Sequence, residues 1–275
     1  MTTAGYRVLD LETVPDLSCW EPPAPRWRLG PGPDGTCMPG GEVLAPAHVS
    51  LEEPFPPPHA CRIVAAAWVD LSADDGAFYC FRQATVISRW GGDCEREILS
   101  ALCEVQARDR ACLVTWNGRC FDLPVVSLRA LRHKIAVPWY YSDDVRHRYR
   151  EAGHCDVMDV LSDHGAARNM KLGDVCRSIG LPGKVGDVRG SDVKAIVDAG
   201  PDRMQMSRVG RYCLDDALQT AILFVRTRFH EGYVGAADHD RAVASFRDAV
   251  VDVGDSPLRE SCLSGVDWRV LMVGT

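Results

Sequence analysis

Asp10 and Glu12 stand two residues apart in YRVLDLE, at the end of a run, Tyr6–Leu11, that reads as a strand. Residues two apart in a strand share one face, so both carboxylates point the same way. Two acids on one face repel each other, and a cation relieves the repulsion. Carboxylate oxygens are hard ligands, which suits Mg²⁺ or Mn²⁺. Taken alone, the pair reads equally well as solvated acids where a strand meets a loop. TWNGRCFDLPVV supplies Asn117 and Asp122 between the end of an apolar strand and the start of a helix. Ligands of open α/β sheets gather outside such strand ends. Asp122 also suits a helix N-cap, and Asn117–Gly118 a turn. RYCLDDALQTAILF sets Tyr212 and Asp216 four apart on a helix, one above the other on one face. Leu214, Leu218, Ile222 and Val225 form the neighbouring core stripe, and a carboxylate in so apolar a stretch is costly unless paired or metal-bound. For this pair alone the plainer alternative is a solvated aspartate beside a half-buried tyrosine.

The elements that position these residues follow from patterning. IVAAAWVDL and AFYCFR suit two strands joined by the turn SADDG. EREILSALCEVQAR has apolar residues at helical spacing, and ACLVTW suits a short buried strand. FDLPVVSLRALRHK begins a helix, with Asp122 at its start and Pro124 in the first turn. The order is that of an α/β protein with a mixed sheet. Beyond residue 150 the pattern is mostly helical: KLGDVCRSIG, SDVKAIVDAG, a long element from about Met206 to Phe229, and HDRAVASFRDAVVDV. Gly180 and Gly200 fall where helix C-caps belong. Residues 15–58, rich in Pro and Gly, read as a long excursion with little regular structure, either functional or merely decorative.

Composition sets the bounds. The chain has 275 residues, 46% hydrophobic and 25% charged, as expected of a globular protein with a sizeable core. No apolar run reaches the length of a membrane span, and MTTAGYRVLDLE lacks the features of a signal peptide, so a cytoplasmic location is expected and no membrane partner. The net charge of −7 argues against a broad basic surface. It does not exclude a nuclease, because bound cations reverse the local charge of an acidic site. Twelve cysteines without a CxxC pair give no zinc spacing and no secreted disulfide framework. Cys61, Cys80, Cys112 and Cys213 lie in apolar stretches and are expected as free thiols.

The three sites follow the order DxE, NxxxFD, YxxxD. That order resembles the exonuclease motifs of the DEDD superfamily in its tyrosine-bearing branch. The segments DLETVPD, FPPPHACRIVAAAWV, TWNGRCFDLPVV, HCDVMDVLSDHG, LPGKVGDVRGSDV and YCLDDALQTAILF resemble predicted 3′→5′ exonucleases related to the proofreading domain of family-B DNA polymerases. The resemblance runs from about Tyr6 to Gly235. It implies a ribonuclease-H-like fold, a central mixed sheet flanked by helices. The division implied is an exonuclease domain over residues 1–235, carrying the insertion at about 15–58, and a helical extension over 236–275. The resemblance also implies that Asp10, Glu12, Asp122 and Asp216 hold two Mg²⁺ or Mn²⁺ ions. Tyr212 would orient the attacking water, and Asn117 and Phe121 would hold the substrate. Two metals about 3.5–4 Å apart stabilise both the attacking and the leaving oxygen of a phosphodiester. The expected partner is the 3′ end of single-stranded DNA or RNA, and the expected products are nucleoside 5′-monophosphates.

Two other readings stand beside this one. A non-catalytic nucleic-acid-binding module on the same fold would be marked by loss of a motif acid, and none is missing. An interaction subunit would need a stable partner and no metal. In HCDVMDV, Asp156 is expected in a structural hydrogen bond or cap rather than at the metals, and His154 and Asp159 carry no assigned role.

Overall fold

The computed structural model describes residues 5–24, 26–29, 49–52, 54–74, 78–167, 170–184, 186–251 and 257–274. In chain order the strands are β1 (Tyr6–Pro15), β2 (Arg26–Leu29), β3 (Val49–Glu52), β4 (Cys61–Leu71), β5 (Phe81–Ser88), β6 (Cys112–Thr115) and β7 (His154–Asp156). The helices are α1 (Cys94–Asp109), α2 (Asp122–Arg132), α3 (Asp143–Arg146), α4 (Val157–Leu161), α5 (Leu172–Ser178), α6 (Gly190–Asp198), α7 (Arg203–His230), α8 (Ala236–Val251) and α9 (Trp268–Leu271). Five strands form one mixed sheet in the order β5-β4-β1-β6-β7. β4 runs antiparallel to β1 and β5, whereas β6 is parallel to β1 and β7 to β6.

The alternation of β1 divides the molecule into two cores. Leu9 and Leu11 pack with Ile98, Leu99 and Leu102 of α1 and with Val125 and Val126 of α2. Val8 faces the other way, into the cluster that holds Leu214, Leu218 and Phe224 of α7. Asp10 and Glu12 share the parity of Val8, so they are directed toward α7. α7 lies close to the sheet: a Cβ at Gly210 would meet the Ser88 side chain at 2.6 Å. Phe246, Leu263 and Leu271 from the C-terminal segment bury in the same cluster as α7. Among the described residues no helix is long and apolar enough to cross a membrane.

Several elements differ from the sequence expectation. The second hairpin strand is not AFYCFR. Phe78–Cys80 continue the turn, Tyr79 adopts a left-handed φ of 60°, and β5 begins at Phe81. The apolar character of that stretch reflects a core anchor, since the Tyr79 ring sits 4.9 Å from Tyr6 and 5.2 Å from Phe224. The mostly helical C-terminal half contains β7, a three-residue strand too short for periodicity to reveal. Within the excursion β2 and β3 pair as an antiparallel ladder, and residues 30–48 lie outside those described. Gly180 and Gly200 follow their helices with φ of 93° and 72°, as C-cap glycines do. The cysteines among the described residues are free.

The base of the excursion is closed. The Asp16 N–H donates to the Ala60 carbonyl at 2.8 Å. Arg129 of α2, fully buried, donates to Glu95 through Nε at 2.7 Å, to Asp16 at 2.8 Å and to the His59 carbonyl at 2.8 Å. A buried cation left without its partners costs about 3–5 kcal/mol, so this network fixes where the chain re-enters the sheet.

Candidate active site

β1 outruns its parallel neighbour. β6 pairs with β1 only through Tyr6, Arg7 and Val8. Asp10 and Glu12 therefore stand beyond the end of β6 and keep only their antiparallel partners, Ala67 and Ala65 of β4. The small alanines leave the space over β1 to α7. One oxygen each of Asp10, Glu12 and Asp216 lies within 4.8 Å of the others. Asp122, the first residue of α2, is outside this set, yet its charge reaches both Asp10 and Glu12.

The turn that delivers Asp122 is tightly built. Asn117 takes a left-handed φ of 62°. A Cβ on Gly118 would fall 2.5 Å from the Thr115 Cβ, so this position needs glycine. Asp156 accepts the N–H groups of Asn117 and Arg119, each at 2.9 Å, and also caps α4 at Asp159. The structural role expected for Asp156 is the one it has. Phe121 directly precedes Asp122 and meets the ring of Phe55 at 5.6 Å. Phe55 is 74% exposed and comes from the excursion, between Pro54 and Pro56.

Burial and mutual repulsion govern the electrostatics. Loss of solvent raises the Asp10 carboxyl well above its ordinary range, and the charges of Asp216, Glu12 and Asp122 push the same way. Glu12 is raised by burial and by Asp216, with Lys184 opposing. Burial brings Asp122 up to about 7 and Asp216 up to about 6, the latter in spite of Lys184 and the Tyr212 hydroxyl. Burial, then the charges of Asp216, Glu12 and Asp10, hold the Tyr212 phenol far above its usual value. Asp10 Oδ2 is buried and has no hydrogen-bond partner among the described residues. An orphaned carboxylate oxygen among crowded acids is an arrangement that a hard divalent cation completes.

Lys184 was not legible as a site residue. It donates to the Tyr212 hydroxyl, and its Nζ lies 3.8 Å from Asp216 Oδ2. It sits in the irregular stretch LPGKVGDV, where no periodicity signals its position. Cys213 closes the floor, its thiol donating to the Asp10 carbonyl at 3.3 Å.

Comparison with known proteins fits this geometry. No curated protein matches the chain. A family B DNA polymerase from the hyperthermophilic archaeon Pyrobaculum calidifontis shares the fold, with a TM-score of 0.52 at 13% identity over 90% of this chain. The chain spans 29% of that polymerase's length. The mixed five-stranded sheet flanked by helices is thus the ribonuclease-H-like arrangement of a polymerase exonuclease domain. Residues 53–260 match the family described as "Predicted 3'-5' exonuclease related to the exonuclease domain of PolB". Asn117, Asp122, Tyr212 and Asp216 fall inside that match, whereas Asp10 and Glu12 precede it and join it through the pairing of β1 with β4. The chain belongs to this family of predicted 3′→5′ exonucleases.

Proposed function

We propose that the chain hydrolyses phosphodiester bonds at the 3′ end of single-stranded DNA or RNA, releasing nucleoside 5′-monophosphates with the aid of two Mg²⁺ or Mn²⁺ ions. The observation that carries this reading is the convergence of Asp10, Glu12 and Asp216 within 4.8 Å, around an orphaned buried oxygen of Asp10. Asp10, Glu12, Asp122 and Asp216 would hold the ions. Bound there, such ions lower the pKa of water toward neutrality and stabilise charge on the attacking and leaving oxygens.

The chain's own residues supply the positioning. With its phenol raised, Tyr212 keeps its proton at neutral pH, so it orients a water by hydrogen bonding and does not act as a bulk base. Lys184 fixes the hydroxyl and offsets part of the negative charge. Asn117 starts the turn above β6, and Phe121 with Phe55 presents an aromatic wall on which terminal bases can stack. The direct test incubates pure protein with 5′-labelled and 3′-labelled DNA and RNA strands in Mg²⁺, Mn²⁺ or EDTA. The expected result is stepwise shortening of the 5′-labelled strand in either metal. Cleavage that persists in EDTA, or that begins at the 5′ end, refutes the reading.

A further inference from the structure

The chain is acidic overall, yet the short exposed segment that follows Val145 is basic. RHRYR, residues 146–150, holds three arginines, a histidine and a tyrosine and no acid. All five residues are exposed. Arg146 lies over the Tyr141 ring at 5.3 Å, and Arg148 over the Tyr149 ring at 5.9 Å. Tyr149 in turn meets the His164 ring at 4.9 Å. Tyr141 is 57% exposed and Tyr149 72%, and Arg146, His147, Arg148 and Tyr149 line a shallow hollow of about 500 Å³.

The arginines of this strip are not equivalent. Arg148 donates to both oxygens of Asp159, at 2.9 and 2.6 Å, and to the His164 carbonyl at 2.8 Å. Its charge is spent on the scaffold. Arg146 and Arg150 meet no carboxylate among the described residues. That differs from Arg82, Arg177, Arg208, Arg211 and Arg241, each of which sits against an acid.

The strip is also tied to the carboxylate cleft. Arg119 donates to the Arg146 carbonyl at 3.2 Å and to the His147 carbonyl at 3.4 Å. Arg119 belongs to the turn that begins at Asn117 and ends in Asp122, and Asp156 holds that turn through its N–H groups. The basic segment is thereby braced against the main chain that delivers an acid to the cleft. Phosphates bind to unpaired guanidinium groups, and bases stack on exposed tyrosine rings.

We propose that the Arg146–Arg150 strip binds the phosphodiester backbone of a single strand whose 3′ end enters the carboxylate cleft. Arg146 and Arg150 supply the phosphate contacts, and Tyr141 and Tyr149 the stacking faces. The placement of the 3′ end rests on the exonuclease reading; the strand contact does not. Two contacts are far fewer than a broad basic groove makes, in keeping with the net charge of −7.

The test measures binding of a fluorescent single strand to the full chain in EDTA, at salt between about 50 and 200 mM. Each phosphate contact on a single strand contributes about 0.7 to the slope of log affinity against log salt. The double variant Arg146→Ala/Arg150→Ala should bind more weakly, with a slope shallower by roughly 1.4, a roughly 7-fold smaller loss of affinity across that range. Arg146→Lys/Arg150→Lys should restore most of the slope. Hydrolysis of the 4-nitrophenyl ester of thymidine 5′-monophosphate, which has no second phosphodiester to reach the strip, should be unchanged in all three proteins. A wild-type slope in the alanine variant overturns the proposal, as does a wild type that binds no single strand. Failure of the lysine pair to restore the slope also overturns it. The two readings separate cleanly. A wild type that binds with the expected slope but never trims a strand refutes the exonuclease reading alone. One that trims with an unaltered slope in the alanine variant refutes the strip alone.

Discussion

Lys184 Nζ lies 3.8 Å from Asp216 Oδ2 while donating to the Tyr212 hydroxyl one helical turn away. One cation thus joins the two residues of the third motif and lowers the proton affinity of Glu12 and Asp216. Lys184→Met should slow single-turnover cleavage at saturating Mn²⁺ by about ten- to a hundredfold, the range expected when a reacting group is misplaced. Substrate affinity in EDTA should change much less. An unaltered rate would reduce Lys184 to an ordinary half-exposed ion pair.

Asp10 should be a liability in the metal-free protein. Burial and three neighbouring acids raise its carboxyl, so the folded state binds a proton more readily than the unfolded chain. Stability contributed by this group therefore falls as pH rises above the ordinary carboxylate range, and at neutral pH the ionised cluster opposes folding. Asp10→Ala should leave the metal-free Tm equal or higher in EDTA at pH 7.5. The same variant should lose nearly all turnover and the Tm gain on adding Mn²⁺. For the wild type that gain corresponds to about 2.7 kcal/mol at a hundredfold excess over Kd. A large drop in the metal-free Tm would instead make Asp10 a structural residue.

Which features were legible depends on whether spacing or tertiary approach creates them. The pairs Asp10/Glu12 and Tyr212/Asp216 follow from periods of two and nearly four, and each pair does share a face directed at the same cleft. The sheet order was less accessible. Tyr79 reads as a strand residue because it is aromatic and apolar, whereas its ring fills a gap between Tyr6 and Phe224 from within a turn. Lys184 and Phe55 lie on irregular segments and Arg146 ends the single-turn α3, and their positions are set by packing on α5, by the Arg129 network and by the Arg119 contacts respectively. No local pattern encodes such distances. The cysteine expectation held because it rested on apolar surroundings: Cys61, Cys112 and Cys213 are buried and Cys80 is half-buried.

His154 gives the fold a second acid-sensitive point, with the opposite sign from Asp10. Its Nδ1 lies 3.2 Å from Arg119 Nη2, which can only donate, so Nδ1 accepts and the Nε2–H is free to donate to Thr115 Oγ1 at 2.8 Å. Burial, and then the Arg119 charge, bring its pKa down to about 3, with Asp159 opposing. Between that value and the ordinary 6.5 only the unfolded chain takes up the proton. The contribution is therefore complete above pH 6.5 and is lost as pH falls toward 3. His154→Gln should lower Tm at pH 7.5, and the gap to wild type should narrow steadily toward pH 4. A gap that stays constant across that range would show that His154 stabilises by packing alone.

Asp215 and Asp216 are neighbours on α7, about 100° apart around the helix, and their carboxylates serve different purposes. Asp216 joins Asp10 and Glu12. Asp215, only 7% exposed, accepts the Cys262 N–H at 2.8 Å and so ties α7 to the C-terminal segment. Arg211, one turn earlier on α7, turns to Glu260, and burial raises the Asp215 carboxyl above its usual range. The substitutions should separate accordingly. Asp216→Asn should abolish most turnover and the Mn²⁺-dependent gain in Tm. Asp215→Asn keeps an amide oxygen to accept the Cys262 N–H, so its turnover should stay close to wild type. Asp215→Ala leaves that buried N–H unpaired, which costs about 1–3 kcal/mol, and should lower Tm far more than it lowers the rate. Tyr212→Phe should fall between the two aspartates in rate, because the ring packing remains and only the hydroxyl that positions water is lost. Single-turnover rates at saturating Mn²⁺ keep changes in affinity from posing as changes in chemistry. If Asp215→Asn slows cleavage more than Asp216→Asn, the third motif is displaced by one residue and the metal-facing side of α7 has been assigned to the wrong aspartate.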